Sequence, residues 1–79
     1  MATKAYVLIE TAVGKTRDVM ASLSGVSGME AVDAVTGPYD IIAVVRAADL
    51  NSVGELVTDK VHTISGVLRT VTCLSVSVS

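Results

Sequence analysis

Cysteine occurs once in this chain, at position 73, so no internal disulfide can brace it. A framework of several bridges is the mark of small secreted domains, and its absence points to a reducing compartment. Histidine also occurs once, as His62, and together with Cys73 it falls short of an ordinary zinc ligand set. There is no Phe or Trp and a single proline, Pro38. The six basic residues, Lys4, Lys15, Arg17, Arg46, Lys60 and Arg69, are scattered, and the formal net charge is −2. Binding to a phosphate backbone needs a basic footprint, so direct contact with nucleic acid is not expected. No apolar run approaches the roughly 18 residues of a membrane span, and the first residues do not read as a signal peptide. A cytoplasmic protein is the expectation.

What the chain has in quantity is Val, Ile, Leu and Ala. Its 79 residues suffice for one domain, yet 51% of them are hydrophobic. A domain this small buries only roughly 60% of the surface its unfolded form exposes. The surplus of apolar side chains therefore calls for a cover, and another copy of the chain is the usual one.

Ala5 to Glu10 is a short apolar run with β-branched and aromatic residues, the length of a strand. Thr16 stands where an N-cap would, ahead of Val19, Met20 and Leu23 at helical spacing, and Gly25 is available for a left-handed C-cap. Glu30 to Thr36 reads as a second strand, Gly37-Pro38-Tyr39-Asp40 as a turn, and Ile41 to Arg46 as a third strand. Asp49 is placed to cap a second helix, whose residues Leu50, Val53, Leu56, Val57, Val61 and Ile64 lie on one face. Ser65-Gly66 closes it, and Leu68 to Val78 reads as the last strand. Leu23-Ser24-Gly25-Val26 is echoed by Ile64-Ser65-Gly66-Val67, each at a helix end. The order predicts an α+β fold: ferredoxin-like βαββαβ, a four-stranded antiparallel sheet with two helices on one face and the first and third strands central.

Alternation in the central strands has a further consequence. Tyr6 and Leu8 point one way and Val7 and Ile9 the other; Ile41, Ala43 and Val45 oppose Ile42 and Val44. Both sheet faces are then apolar, and the helices cover one. The other is expected to meet a second sheet in a homodimer.

Three segments resemble the effector-binding (RAM) domain of the Lrp/AsnC, or feast/famine, transcriptional regulators. They are the opening strand with Val13-Gly14-Lys15, the hairpin Val35-Thr36-Gly37-Pro38-Tyr39-Asp40-Ile41 with the family's Gly-x-x-Asp pattern, and Ile64-Ser65-Gly66-Val67 leading into Arg69-Thr70-Val71-Thr72. The resemblance covers nearly the whole chain. It implies a single Lrp/AsnC-type ligand-binding domain over residues 1–79. The family's helix-turn-helix is not expected, because Met1 stands only three residues before the first strand. It implies dimers assembling into an octamer or decamer, with an amino acid or similar small molecule bound between dimers, and full-length Lrp/AsnC regulators as possible partners.

By the same resemblance Gly37, Tyr39, Asp40, Thr70 and Thr72 match positions that line the effector site. The chemistry agrees. Gly37 lets a ligand approach the backbone. Asp40 can accept from an ammonium, or fix the loop. Thr70 and Thr72 share a strand face and can donate to a carboxylate, and Tyr39 can pack on the ligand side chain. The plain readings stand beside these: Gly-Pro-Tyr-Asp is a good turn whatever the function, Asp40 can serve its own loop, and the threonines suit a strand. Cys73 reads as a small buried hydrophobe, His62 as a partly exposed surface residue, Arg46 and Arg69 as surface or interface pairs, and Met20 and Met29 as core or rim packing. No cofactor is implied. No nucleophile–base pair can be argued, so a non-enzyme is expected. The alternatives are an ACT-like allosteric subunit, or a small ferredoxin-like monooxygenase or isomerase.

Overall fold

The computed structural model describes residues 2–76. Its elements run β1 (Thr3–Thr11), α1 (Thr16–Ser24), β2 (Met29–Ala34), β3 (Ile41–Ala47), α2 (Leu50–Leu56) continued by a π-helical stretch (Val57–Val61), and β4 (Val67–Leu74). The strands form one antiparallel sheet in the order β2-β3-β1-β4, with β1 and β3 central as the sequence pattern requires. Val78, the expected end of the last strand, lies outside the described residues.

The core lies between the sheet and the helices. Ala5, Val7 and Ile9 of β1 and Ile41, Ala43 and Val45 of β3 pack against Val19 and Leu23 of α1 and Val53, Val57 and Val61 of the second helix. Alternation therefore assigns the odd-numbered positions of both central strands to the core. No helix among the described residues is long and apolar enough to cross a membrane.

Asp49 caps α2 as expected: its carboxylate accepts from the Ser52 backbone N–H at 2.8 Å. That bond is the main reason its carboxyl is held below its ordinary value. Thr16 does not cap α1. It is the first helical residue, Lys15 occupies the cap position without a side-chain bond, and the Thr16 hydroxyl lies 2.8 Å from that of Thr11. This contact ties the end of β1 to the start of α1. The second helix also departs from a single α-helix running to Ile64: the His62 N–H reaches back five residues to the Val57 carbonyl at 2.9 Å. Its buried residues Val53, Val57 and Val61 are spaced by four. In a regular α-helix each such step drifts by about 40°. The wider turn takes up that drift and keeps all three on the sheet.

The glycine echo is also shifted. Gly25 has φ −89° and is not left-handed, whereas Gly28 and Gly66 have φ +93° and +100°. The matching turns are Ser27-Gly28 before β2 and Ser65-Gly66 before β4. A Cβ on Gly66 would stand 2.9 Å from the Lys15 Cβ and 3.0 Å from the Val19 Cγ2, so α1 packs directly on this turn. Gly66→Ala is expected to cost about 2 kcal/mol, read from denaturant midpoints, because left-handed backbone and close contact both oppose the methyl. Gly25→Ala should leave the midpoint nearly unchanged; equal losses at both positions would contradict this assignment.

The second sheet face has no cover among the described residues. Register places Tyr6 beside Val44 and Cys73, and Leu8 beside Ile42 and Val71, all on the side away from the helices. Tyr6 is 38% and Val71 37% exposed. Cys73 is exposed too, contrary to the buried reading: its alternation is correct, but its side lies on the uncovered face.

Candidate functional site

The β2–β3 hairpin is closed by the Val35 N–H donating to the Asp40 carbonyl at 2.9 Å, leaving Thr36, Gly37, Pro38 and Tyr39 as its tip. Gly37 has φ +147°, a conformation that favours glycine, and a Cβ there would meet nothing within 4 Å. The space beside it is free for a ligand.

The tip overhangs one end of the uncovered sheet face. Between them lies an open apolar cleft of about 450 Å³ lined by Leu8, Val35, Thr36, Gly37, Pro38, Tyr39 and Ile42. That is within the usual size range of small-molecule sites. Arg69 of β4 is not part of this lining but is joined to it through Tyr39. The guanidinium donates to the Tyr39 hydroxyl at 3.0 Å and lies 5.6 Å from the ring centroid, combining a hydrogen bond with a cation–π contact. Its expected surface pairing is thus with a tyrosine. Arg46 does pair with a carboxylate, Glu30, at 2.6 Å.

Asp40 is committed to architecture. Its Oδ2 accepts from the Thr11 N–H at 2.8 Å, while its own N–H donates to the Ile9 carbonyl at 2.9 Å. The hairpin is pinned by this residue to the end of β1, where the β1–β4 register shifts after Glu10. Of the two roles open to Asp40, fixing the loop is the one that these bonds display. Asp40→Ala strands a half-buried backbone donor and is expected to cost about 2 kcal/mol of stability, with Asp40→Asn recovering most of it through its carbonyl oxygen. Chemical denaturation of the two variants checks this, and an Ala variant as stable as the parent would remove the assignment.

Thr70 and Thr72 are not brought to this cleft. They oppose Ile9 and Val7 across β1–β4, so they share the helix side of the sheet. Thr70 Oγ1 lies 2.6 Å from His62 Nε2 at the end of the π-helical stretch. A depression of about 380 Å³ there is lined by His62, Val67, Leu68, Arg69 and Thr70. Within one chain the five expected residues thus divide into Gly37 and Tyr39 at the cleft, Asp40 behind the hairpin, and Thr70 and Thr72 on the opposite side of β4. The expectation for His62 was an ordinary surface residue. It is exposed, but its link to Thr70 places it in this second depression, and the helical pattern alone does not signal a contact between the helix end and β4.

The chain matches the Lrp/AsnC ligand binding domain over residues 4–78. It is 37% identical over 78 residues to an uncharacterized HTH-type transcriptional regulator of Pyrococcus furiosus, covering 95% of this chain and 52% of that protein. The chain therefore spans about half the length of the curated relatives it matches. A crystal structure from Thermus thermophilus superposes with a TM-score of 0.91 at 30% identity, covering 98% of this chain and 96% of that one. The feast or famine regulatory protein of M. tuberculosis, solved in complex with L-methionine, superposes with a TM-score of 0.83 at 22% identity, covering 96% and 51% of the two chains. At that identity the likeness is one of fold.

Proposed function

Because the chain belongs to the Lrp/AsnC ligand-binding domain family, we propose that it is a regulatory module that senses an amino acid or a similar small molecule in the cytoplasm. Two copies join through the uncovered sheet faces, the dimers assemble further into an octamer or decamer, and the effector sits at a seam between subunits. Transcription responds through full-length relatives that share these contacts. The observation that carries this reading is the hairpin cleft opening at the edge of an apolar sheet face that the chain's own helices leave bare. A ligand seated there touches any subunit laid on that face. It then favours one assembly state over another, which is the requirement for regulation by a ligand. The L-methionine held by the M. tuberculosis relative is of the size and character that such a cleft suits.

A binding role also fits the chemistry better than catalysis. The His62–Thr70 contact has no carboxylate hydrogen-bonded to the imidazole among the described residues, so it lacks the third member that orients a histidine as a general base.

The test is thermal unfolding of the purified protein with each of the proteinogenic amino acids, with native mass measured alongside. An effector at a hundredfold excess over its Kd adds about 2.7 kcal/mol. In a domain of this size that raises Tm by roughly 10–20 °C. No shift with any amino acid, or a mass that is monomeric with and without them, would remove the proposal.

A further inference from the structure

A cleft for a free amino acid needs more than apolar walls, since both backbone charges of the ligand require partners. The lining supplies none: Leu8, Val35, Thr36, Gly37, Pro38, Tyr39 and Ile42 carry no charge. Asp40 is occupied by the Thr11 N–H, and Thr70 and Thr72 face the helices. At the cleft's end of this face stand Asp33, which opposes Ile42 across β2 and β3, and Glu10 and Arg69; the two of opposite sign that stand side by side are Glu10 and Arg69.

These two residues are direct partners across β1 and β4. Opposed side chains in an antiparallel pair leave the same face, so a carboxylate and a guanidinium project side by side next to the cleft. Such a pair ordinarily bonds to itself. Here the ion pair within 4.0 Å among the described residues is Arg46–Glu30, at the other end of the sheet face. Arg69 turns instead to Tyr39, which lines the cleft. The guanidinium has five donors, and the tyrosine hydroxyl takes one position of the fork. The others remain available beside the apolar walls.

We propose that Arg69 and Glu10 form a charge clamp for a zwitterionic α-amino acid. Arg69 takes the carboxylate, Glu10 takes the ammonium, and an aliphatic or thioether side chain lies in the cleft between the hairpin tip and Leu8 and Ile42. The assignment rests on the ligand-binding reading above and specifies its chemistry. Tyr39 positions Arg69, holding its long side chain toward the cleft and away from Glu10, so that the two charges are kept apart for the ligand. The cleft has no charged wall to receive a polar side chain, so the clamp selects by backbone charge and the cleft by apolar character.

The test is calorimetric titration of the intact protein with L-methionine, L-leucine, L-lysine and L-aspartate, then with L-methioninamide, which lacks the carboxylate, and N-acetyl-L-methionine, which lacks the ammonium. The parent should bind methionine or leucine, and each analogue roughly tenfold to a hundredfold more weakly. Arg69→Gln should weaken methionine by a similar factor and no longer distinguish it from the amide. Arg69→Lys should restore part of that distinction. Glu10→Gln should lose the distinction from the acetylated form and keep the other. Native mass and circular dichroism of the variants should match the parent. Variants that keep the parent's discrimination, or a parent that binds only the lysine or aspartate, overturn the clamp while leaving an amino acid sensor standing. A parent that binds none of the four overturns the clamp, and if the wider amino acid screen is equally silent the sensor reading falls with it.

Discussion

Val44→Lys should convert the proposed assembly to monomers, seen by light scattering or sedimentation of the variant beside the parent. Val44 lies on β3 beside Tyr6 of β1, in the middle of the uncovered face, and lines neither depression. In a single chain it is half-buried among neighbouring strands, so a lysine there can lift its ammonium into water along a flexible stem. Between two sheets packed about 10 Å apart the same ammonium is stripped of water with no partner in reach. The cost is several kcal/mol at each copy, and an isologous contact counts it twice. The substitution should weaken association by roughly three orders of magnitude or more, while circular dichroism of the chain changes little. A Val44→Lys protein that keeps the parent's mass would show that subunits meet elsewhere, through the β4 edge for instance, and that the bare face is not the seam.

The same residue shows what sequence alone could reach. The apolar alternation of β1 and β3 predicted a sheet apolar on both faces; that Tyr6, Leu8, Ile42 and Val44 together form the uncovered one follows from the register. Alternation is a property of the backbone pleat and needs no knowledge of the partner strand. The cap at Asp49 was equally legible, because an N-cap acts within three residues. Less local features were not. Thr16 has the chemistry of a cap, but the hydroxyl of Thr11, close in space across the connection from β1, engages it instead. The repeat of Ser-Gly near the helix ends was visible, yet which glycine is left-handed depends on where the next strand starts, and that makes Gly28 rather than Gly25 the counterpart of Gly66.

The site divides in the same way. A Gly-Pro hairpin tip is written in four consecutive residues and was found. The bond from Thr11 to Asp40 spans 29 positions, and the contact of Arg69 with Tyr39 spans 30. Each depends on β1 lying between β3 and β4, which no short motif encodes. Thr70 and Thr72 were rightly placed on one face of β4, but which face follows from register, and register set them beside Ile9 and Val7 on the helix side. Cys73 went to the other side for the same reason.

Ile9→Ala should cost roughly 2–5 kcal/mol, the range for removing a large aliphatic side chain from a packed core. Ile9 is fully buried and sits on a central strand between Ile41 and Thr70, against helix residues that belong to the same cluster. A domain of this length has only about 4–12 kcal/mol in total. The substitution therefore removes a large share of the margin, and in the weaker case the isolated chain is mostly unfolded. Ile9 also carries the carbonyl that receives the Asp40 N–H, so loosening β1 at this point releases the hairpin and with it one wall of the cleft. Leu50, 59% exposed at the start of α2, provides the contrast: Leu50→Ala should move stability by no more than about 0.5 kcal/mol. Denaturant titration of both variants, with association monitored by sedimentation, separates the two faces of the sheet. Ile9→Ala should lose folding and association together, whereas Val44→Lys should lose association alone. Should Ile9→Ala prove as mild as Leu50→Ala, the central strand would have to be turned over, and the face assigned to the seam would be the core.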